Sequence, residues 1–167
     1  MPTNSMSRLT AGDMMRTDIV SVNPDDSLQV ALSSMIENHV TGLPVLNRKS
    51  RCVGVVSATD ILNFEQDHAD DASGANADLA RYFDPETNRW EDLRVTSLAL
   101  EEFAEIPVSE IMNRDVIAVS PAATIQKVAQ RMVSQEIHRV LVLDDEQYLL
   151  GLISAIDFVR LFADSGD

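Results

Sequence analysis

Two short motifs in the sequence place hydroxyl and carboxylate groups where a predicted strand gives way to a helix. The first runs Gly54-Val-Val-Ser57-Ala-Thr59-Asp60, and the second copy holds Ser154, Ile156 and Asp157. A carboxylate at such a junction can accept hydrogen bonds from two hydroxyl groups of one ligand, and charge-assisted bonds are the stronger kind. The free N–H groups and the dipole of the helix start favour an anion. The spacing is also close to a capping box, so spacing alone favours a purely structural role.

Both motifs belong to an internal repeat that must position them. Residues 13–64 align with residues 110–161 at an offset of 97, without a gap. The identical pairs are Met15/Met112, Asp18/Asp115, Val22/Val119, Pro24/Pro121, Gln29/Gln126, Met35/Met132, Val45/Val142, Leu46/Leu143, Gly54/Gly151, Ser57/Ser154, Ala58/Ala155 and Asp60/Asp157. The gapless register indicates two copies of one folding unit.

Each copy predicts the element order β-α-β-β-α. Apolar residues recur at helical spacing behind Ser27 and Thr124, which stand where helix N-caps belong. A second helix opens at Ser57 or Ser154. The predicted strands are Asp18–Val22, Leu43–Leu46 and Val53–Val56 in the first copy, and Asp115–Val119, Val140–Leu143 and Leu149–Ile153 in the second.

The predicted fold class is therefore α/β, more strictly α+β, with a duplicated unit. A unit of about 50 residues buries its own apolar faces poorly. Two such units are expected to pack sheet against sheet under pseudo-two-fold symmetry, leaving clefts of the kind that ligands prefer.

Three regions follow from the repeat. Residues 1–64 form the first repeat with an N-terminal lead-in, 65–105 form an acidic linker or insertion, and 106–167 form the second repeat. The composition of 66–76 predicts a solvated loop, and Leu93 to Phe103 favours a short helix. Three aromatic residues between Arg81 and Trp90 fit either a segment docked on the core or a surface for a protein partner.

The repeats resemble a known family. Each has a lead-in, Asp13-Met14-Met15 or Glu110-Ile111-Met112, and each ends on Gly-x-x-Ser-x-x-Asp, with Leu43-Pro44-Val45 between these motifs in the first copy. Duplicated in this order over residues 9–64 and 106–161, the pattern is similar to a tandem pair of cystathionine-β-synthase (CBS) domains. The resemblance implies a regulatory module that binds an adenosine-containing ligand, with Asp60 on the ribose hydroxyls, and that forms a homodimer.

The resemblance also implies which residues line each cleft. In the family, the aspartate motif of one repeat faces two parts of the other repeat: its first strand, and the segment that precedes its second strand. The nucleotide-binding residues of the first cleft are then Ser57, Thr59, Asp60, Val116, Ile117, Ile137, His138 and Arg139. The Ile-His-Arg run resembles the phosphate-contacting stretch of the γ subunit of AMP-activated protein kinase, and a guanidinium fork suits phosphate oxygens. From the residues alone, a solvated cationic pair at a helix end is the alternative.

The second cleft, by the same reasoning, is the weaker site. Its residues are Ile19, Val20, Val40, Thr41, Ser154, Ile156 and Asp157. Ile156 replaces a hydroxyl residue, and Thr41-Gly42 stands where the first cleft has a His-Arg pair, so no cation at that position offsets a phosphate. This cleft is expected to bind weakly, to take an uncharged adenosyl group or to stay empty.

Composition and charge narrow the function classes. A net charge of −14 argues against a nucleic-acid or anionic-membrane partner. The polar N-terminus has no signal-like apolar core, and a cytoplasmic location is expected. No catalytic residue and no metal site is expected, because phosphate-binding glycine loops, nucleophile elbows and metal-ligand spacings are missing from the sequence.

Two functions therefore compete. The first is a sensor of an adenine nucleotide, AMP, ADP or ATP, with S-adenosylmethionine or NAD(H) as further possible ligands and no resident cofactor. The alternative is a ligand-independent dimerisation or scaffold module that holds a protein partner through the central segment.

Overall fold

The computed structural model describes residues 8–68, 77–84, 89–96 and 101–164, with side chains described for 8–64 and 101–164. The chain divides into two compact units. Unit 1 comprises Met1–Ile19, Ser50–Cys52 and Val116–Asp167, and unit 2 comprises Val20–Lys49 and Val53–Asp115. Each unit therefore combines the body of one repeat with the lead-in of the other. The boundaries drawn at 64/65 and 105/106 stay predictions from the sequence.

The elements follow in chain order. They are α1 (Ala11–Met14), α2 (Leu28–Glu37), β1 (Gly42–Leu46), β2 (Cys52–Ser57), α3 (Ala58–His68), β3 (Ala77–Asp84), β4 (Arg89–Thr96), a 3-10 turn (Val108–Glu110), β5 (Ala118–Val119), α4 (Ile125–Ser134), β6 (Arg139–Leu143), β7 (Leu149–Ser154) and α5 (Ala155–Asp164). None of the helices in the described residues is both long enough and apolar enough to cross a membrane.

Unit 2 holds the first repeat around the sheet β1-β2. Helix α2 begins as predicted, because the Ser27 side chain accepts a hydrogen bond from the backbone N–H of Val30 at 3.2 Å. Phe103 (2% exposed) and the fully buried Val108, both from the end of the linker and the second lead-in, pack into the core of this unit. The core residues are Val22, Leu28, Ala31, Leu32, Met35, Leu43, Val45, Val56, Ala58, Ile61, Phe103, Val108 and Met112.

Unit 1 holds the second repeat around the sheet β5-β6-β7. Strand β5 pairs with β6 in parallel and β6 pairs with β7 antiparallel. Thr124 caps α4 as predicted, accepting from the N–H of Lys127 at 3.4 Å. Ala11 of the first lead-in is fully buried in this core, at the position that matches Val108 in unit 2. The core residues are Ala11, Val119, Val128, Met132, Val140, Val142 and Ile153.

The α+β class and the duplicated unit are confirmed, but three local expectations hold only in part. The first predicted strand of each repeat is shorter than expected: Asp18–Val22 makes a single bridge, Val22 to Val45, and the matching run forms a strand at Ala118–Val119 alone. In the linker, β3 and β4 form an antiparallel hairpin that includes residues 93–96, where the sequence favoured a helix. Residues 101–103 of the same segment are helical as expected, and 97–100 lie outside the described residues. Of the predicted loop, 66–68 belong to α3 and 69–76 lie outside the described residues.

Candidate functional site

The Ser57–Asp60 junction of unit 2 forms a reciprocal capping box. Asp60 Oδ2 accepts hydrogen bonds from the backbone N–H of Ser57 at 2.8 Å and from the Ser57 hydroxyl at 2.7 Å. The Asp60 N–H donates to Ser57 Oγ at 3.1 Å. These bonds use one carboxylate oxygen, and Asp60 Oδ1 has no partner within the described part of the chain. Asp60 is half-buried and Thr59 beside it is exposed. The cap and a ligand contact can therefore coexist on this side chain.

The Ser154–Asp157 junction of unit 1 has the same cap but a different second oxygen. Asp157 Oδ2 accepts from the Ser154 N–H and from the Ser154 hydroxyl, each at 2.8 Å. Asp157 Oδ1 accepts from Arg16 Nε at 3.1 Å, and Arg160 Nη1 lies 3.8 Å from the same oxygen. Asp157 is buried, at 8% exposure, whereas the Arg16 side chain is 50% exposed. Both oxygens of this carboxylate are thus engaged.

Backbone pairing explains how Arg16 reaches Asp157. Arg16 exchanges two hydrogen bonds with Leu152 of β7, each 2.9 Å long. At the matched position in unit 2, Asn113 makes the same pair of bonds with Val55 of β2, at 2.8 and 2.9 Å. The two lead-ins therefore place residues 16 and 113 at equivalent points, beside β7 in unit 1 and beside β2 in unit 2. The two residues differ in type, because one is a cation and the other a short neutral amide.

Asn113 makes a local contact instead of an ion pair. Its Oδ1 accepts from the backbone N–H of Asp115 at 2.9 Å, a bond typical of an Asx turn. Among the described residues, Asp60 has no salt bridge. The matched carboxylates Asp60 and Asp157 are therefore electrostatically different, although the motifs that carry them are alike.

The segments that precede β1 and β6 lie beside these junctions. The N–H of Ala58, the first residue of α3, donates to the Thr41 carbonyl at 2.9 Å, and the N–H of Ala155 donates to the His138 carbonyl at 2.8 Å. Arg139 faces Ser154 in the antiparallel register of β6 and β7. Because directly opposed residues share one face of a sheet, Arg139 and Ser154 lie on the same face.

The predicted site residues divide between the two units. Val20, Val40, Thr41, Ser57, Thr59 and Asp60 belong to unit 2, and Ile19, Val116, Ile117, Ile137, His138, Arg139, Ser154, Ile156 and Asp157 belong to unit 1. Within each unit, the aspartate motif lies next to the segment that precedes β1 or β6 of the same repeat. The crosswise sets drawn from the sequence stay predictions.

Arg16 is a residue that sequence reasoning missed. It is separated from Asp157 by 141 positions, and no motif marks it. The one available signal was its alignment with Asn113 at the repeat offset, which shows a charge present in one copy and missing from the other. Within the described residues, no group of three or more His, Cys, Asp or Glu side chains is placed to hold a metal ion.

Comparison with known proteins decides the family. The family model described as CBS domain matches the chain twice, at residues 11–67 and 108–164. The chain belongs to the CBS domain family. This CBS pair is 31% identical over 155 residues to the uncharacterized protein MJ1426 of Methanocaldococcus jannaschii, a match that covers 89% of this chain and 88% of that protein.

Two further similarities concern a plant protein. The chloroplastic CBS domain-containing protein CBSX2 of Arabidopsis thaliana is 26% identical over 153 residues, covering 90% of this CBS pair and 62% of the longer relative. The crystal structure of CBSX2 in complex with AMP matches with a TM-score of 0.67 at 22% identity, covering 93% of this chain and 97% of that one. The structural likeness confirms the fold of a CBS pair.

Proposed function

We propose that this CBS pair is a regulatory module that binds an adenine nucleotide, AMP, ADP or ATP, and that it passes the signal to a partner or through its own dimer. The ribose hydroxyls are received by Asp60. The signal arises because a ligand with different affinities for two arrangements of the protein shifts their populations. The proposal assigns no catalytic step to the chain.

The observation that supports this function best is the state of the Asp60 carboxylate. Its Oδ2 holds the start of α3 through Ser57, and its Oδ1 has no partner among the described residues. A half-buried carboxylate with one oxygen fixed and one available is oriented before a ligand arrives. Pre-orientation lowers the entropic cost of binding. A vicinal diol is a suitable ligand group because it presents two donors to one carboxylate.

The choice of an adenosyl ligand rests on the resemblance and on relatives. CBSX2 has been crystallised with AMP, and adenosine is the part that AMP, ATP, S-adenosylmethionine and NAD(H) share. The nucleotide contacts that the sequence predicts beyond the aspartate include His138 and Arg139, and the proposal keeps them as phosphate contacts.

The experiment is a thermal-shift panel with AMP, ADP, ATP, S-adenosylmethionine and NAD(H) on the full chain. A ligand at 100 times its dissociation constant stabilises the native state by about 2.7 kcal/mol, which raises Tm by several degrees for a domain of this size. Asp60→Asn is the informative variant, because the amide oxygen can still accept from Ser57 while its NH₂ group no longer accepts from a hydroxyl. The proposal predicts a shift for the wild type that Asp60→Asn reduces. A panel with no shift for the wild type contradicts the proposal and favours the ligand-independent module.

A homodimer is the second part of the proposal. Unit 1 exposes large apolar side chains on α4 and α5, namely Val133 (79%), Ile156 (48%), Val159 (59%) and Phe162 (76%). Ile156, Val159 and Phe162 recur every three residues and so lie near one another along one side of α5. The occupant we propose for this face is a second copy of the chain, as the family resemblance implies. Sedimentation of Phe162→Glu tests it: the dimer interpretation predicts a shift to monomer, and an unchanged molecular mass contradicts it.

A further inference from the structure

We propose that Arg16 determines which of the two matched carboxylates accepts a ribose: by holding Oδ1 of Asp157, it reserves ribose binding for Asp60. This inference rests on the proposed function. It assigns a specificity-determining role to a residue outside every binding set predicted from the sequence.

Two otherwise equivalent carboxylates differ in what their second oxygen contacts. Asp60 and Asp157 occupy the same place in the repeat, and each gives Oδ2 to the serine that precedes it by three residues. Oδ1 of Asp157 accepts a bond from a guanidinium nitrogen at 3.1 Å. Oδ1 of Asp60 has no partner in the described ranges. The oxygen left over after capping is therefore engaged in one unit and available in the other.

This difference between Asp60 and Asp157 follows from residue type and not from backbone geometry. Residues 16 and 113 make equivalent two-bond bridges to β7 and β2. At residue 16 the side chain is a long cation with two contacts, Nε to Asp157 and Nη2 to Ser154 Oγ at 3.5 Å. At residue 113 it is a neutral amide that bonds to its own turn. Exchanging the two residue types should therefore exchange the states of the two carboxylates.

A ribose diol and the Arg16 guanidinium compete for one oxygen, Oδ1 of Asp157. A diol that binds a carboxylate needs both oxygens, or both lone pairs of one, as acceptors. At Asp157 it must displace a guanidinium held by a charge-assisted bond, which is stronger than a bond from a neutral hydroxyl. If Arg16 is away from Asp157 in only about a tenth of the molecules, the apparent dissociation constant of the ribose-containing ligand at Asp157 rises about tenfold. The half-exposed Arg16 side chain can leave for solvent, so the block is a bias against ligand and not a permanent closure.

Arg160 is the one further cation near this oxygen among the described residues, and it could replace Arg16 in a variant that lacks the Arg16 guanidinium. Its Nη1 lies 3.8 Å from Asp157 Oδ1, and its side chain is 63% exposed. At that distance it makes a weaker ion pair than Arg16. If Arg16 is removed, Arg160 can move closer and take its place. The double variant Arg16→Asn with Arg160→Gln removes this substitute.

The test is calorimetric titration of the full chain with AMP, which reports stoichiometry and affinity together. We expect one strong AMP-binding event per chain in the wild type. We expect a second binding event in Arg16→Asn, or in the double variant with Arg160→Gln. The affinity of this second event should be at least about tenfold higher than that of any weak second event in the wild type. The additional event should disappear when Asp157→Asn is added. Circular dichroism and Tm establish that each variant is folded.

The reciprocal variant is an independent measurement that does not depend on the folding of Arg16→Asn. Asn113→Arg places a cation at the matched position of unit 2 and should weaken AMP binding by about tenfold. Two equal AMP events in the wild type overturn the inference, as does an unchanged stoichiometry in the double variant. Failure of AMP to bind the wild type and every variant overturns the proposed function itself. That result is distinguishable from the failure of Arg16 alone, in which the wild type still binds one AMP.

Discussion

Arg16 Nε lies 3.1 Å from Asp157 Oδ1, although the two residues are separated by 141 positions in the sequence. The contact exists because the first lead-in pairs with β7 through Leu152, which lies five residues before the aspartate. The second lead-in pairs with β2 in the same way, but it brings Asn113 and not a cation. The duplicated motif thus contains one ion-paired carboxylate, Asp157, and one, Asp60, whose Oδ1 has no partner among the described residues.

The Arg16–Asp157 pair should contribute to the stability of unit 1. We expect a double-mutant cycle of Arg16→Ala and Asp157→Asn, followed by urea unfolding, to give a coupling free energy of about 1 kcal/mol. The half-exposed arginine keeps this value below that of a buried pair. Asn113→Ala with Asp60→Asn is the matched cycle and should give a coupling near zero. Equal couplings in the two cycles would contradict the asymmetry.

The matched glycines Gly54 of β2 and Gly151 of β7 leave no room for a side chain. A Cβ at Gly151 would lie 2.6 Å from Met15 Cβ, and a Cβ at Gly54 would lie 2.9 Å from the carbonyl oxygen of Asn113. We expect Gly151→Ala and Gly54→Ala each to lower the free energy of unfolding by about 1–3 kcal/mol, through overpacking. Gly42→Ala, whose Cβ would meet its nearest atom at 3.4 Å, is the control and should change it by less than about 0.5 kcal/mol. Urea unfolding of the three variants gives the change in the free energy of unfolding. Equal changes at all three positions would contradict overpacking as the cause.

Two helix ends carry non-glycine residues in the left-handed region. His39 has φ 54° and Glu136, at the matched position, has φ 52°. The N–H groups of Val40 and Ile137 bond back to Met35 and Met132 at 3.0 Å, as in a Schellman motif. We expect His39→Gly and Glu136→Gly each to raise the free energy of unfolding by about 0.5–1 kcal/mol, because glycine adopts this conformation without steric cost.

The control for these helix ends lies two residues before His39. Glu37→Gly changes the last helical position of α2 and should lower stability by about 0.5 kcal/mol, since glycine is the poorer helix former. Chemical unfolding of the three variants provides the comparison. A loss of stability in His39→Gly equal to that in Glu37→Gly would be inconsistent with the left-handed assignment.

The pKa of Asp13 should lie below its ordinary value of 3.8. The backbone N–H of Thr10, and then the Thr10 hydroxyl, donate to its Oδ2 at 2.8 Å, and these bonds lower the pKa of Asp13 from 3.8. Because the folded pKa lies below the unfolded value, the stabilisation is complete above the unfolded pKa and is lost as pH falls through the folded one. The stability difference between the wild type and Asp13→Asn should therefore be constant at neutral pH and shrink below pH 3.8.

The Asp13 titration can be followed by NMR of the carboxyl carbon. The midpoint should lie below 3.8 in the wild type. In Thr10→Ala it should move part of the way back, since the backbone bond remains. A wild-type midpoint at or above 3.8 would rule out the hydrogen-bonded geometry.

The sequence predicted those parts of the fold that depend on local pattern. The caps at Ser27 and Thr124 and the strands β1, β2, β6 and β7 follow from residue type and periodicity, and the structure confirms them. The strand expected over Asp18–Val22 was too long, because β-branched composition reports propensity whereas pairing requires a partner, and Val22 alone makes a bridge. The hairpin of β3 and β4 was missed because its charged composition is unusual for strands.

Of the candidate site, the local motifs could be predicted from the sequence and the long-range contact could not. The Ser57–Asp60 and Ser154–Asp157 motifs were found because their spacing is local, and both the capping role and the hydroxyl partners follow from it. The Arg16 contact depends on which strand the lead-in pairs with, which is tertiary information. The periodicity of the sequence does not indicate which strand the lead-in pairs with.

Calorimetric titration of AMP into the wild type, Asp60→Asn and Asp157→Asn shows whether the Asp60 carboxylate receives the ribose. We expect saturable binding to the wild type and a loss of affinity of at least about tenfold in Asp60→Asn, since a charge-assisted bond contributes about 1.5–3 kcal/mol. Asp157→Asn should retain the wild-type affinity within about twofold, a difference of only about 0.4 kcal/mol. Equal affinities for AMP in the wild type and Asp60→Asn would contradict the claim that this carboxylate receives the ribose.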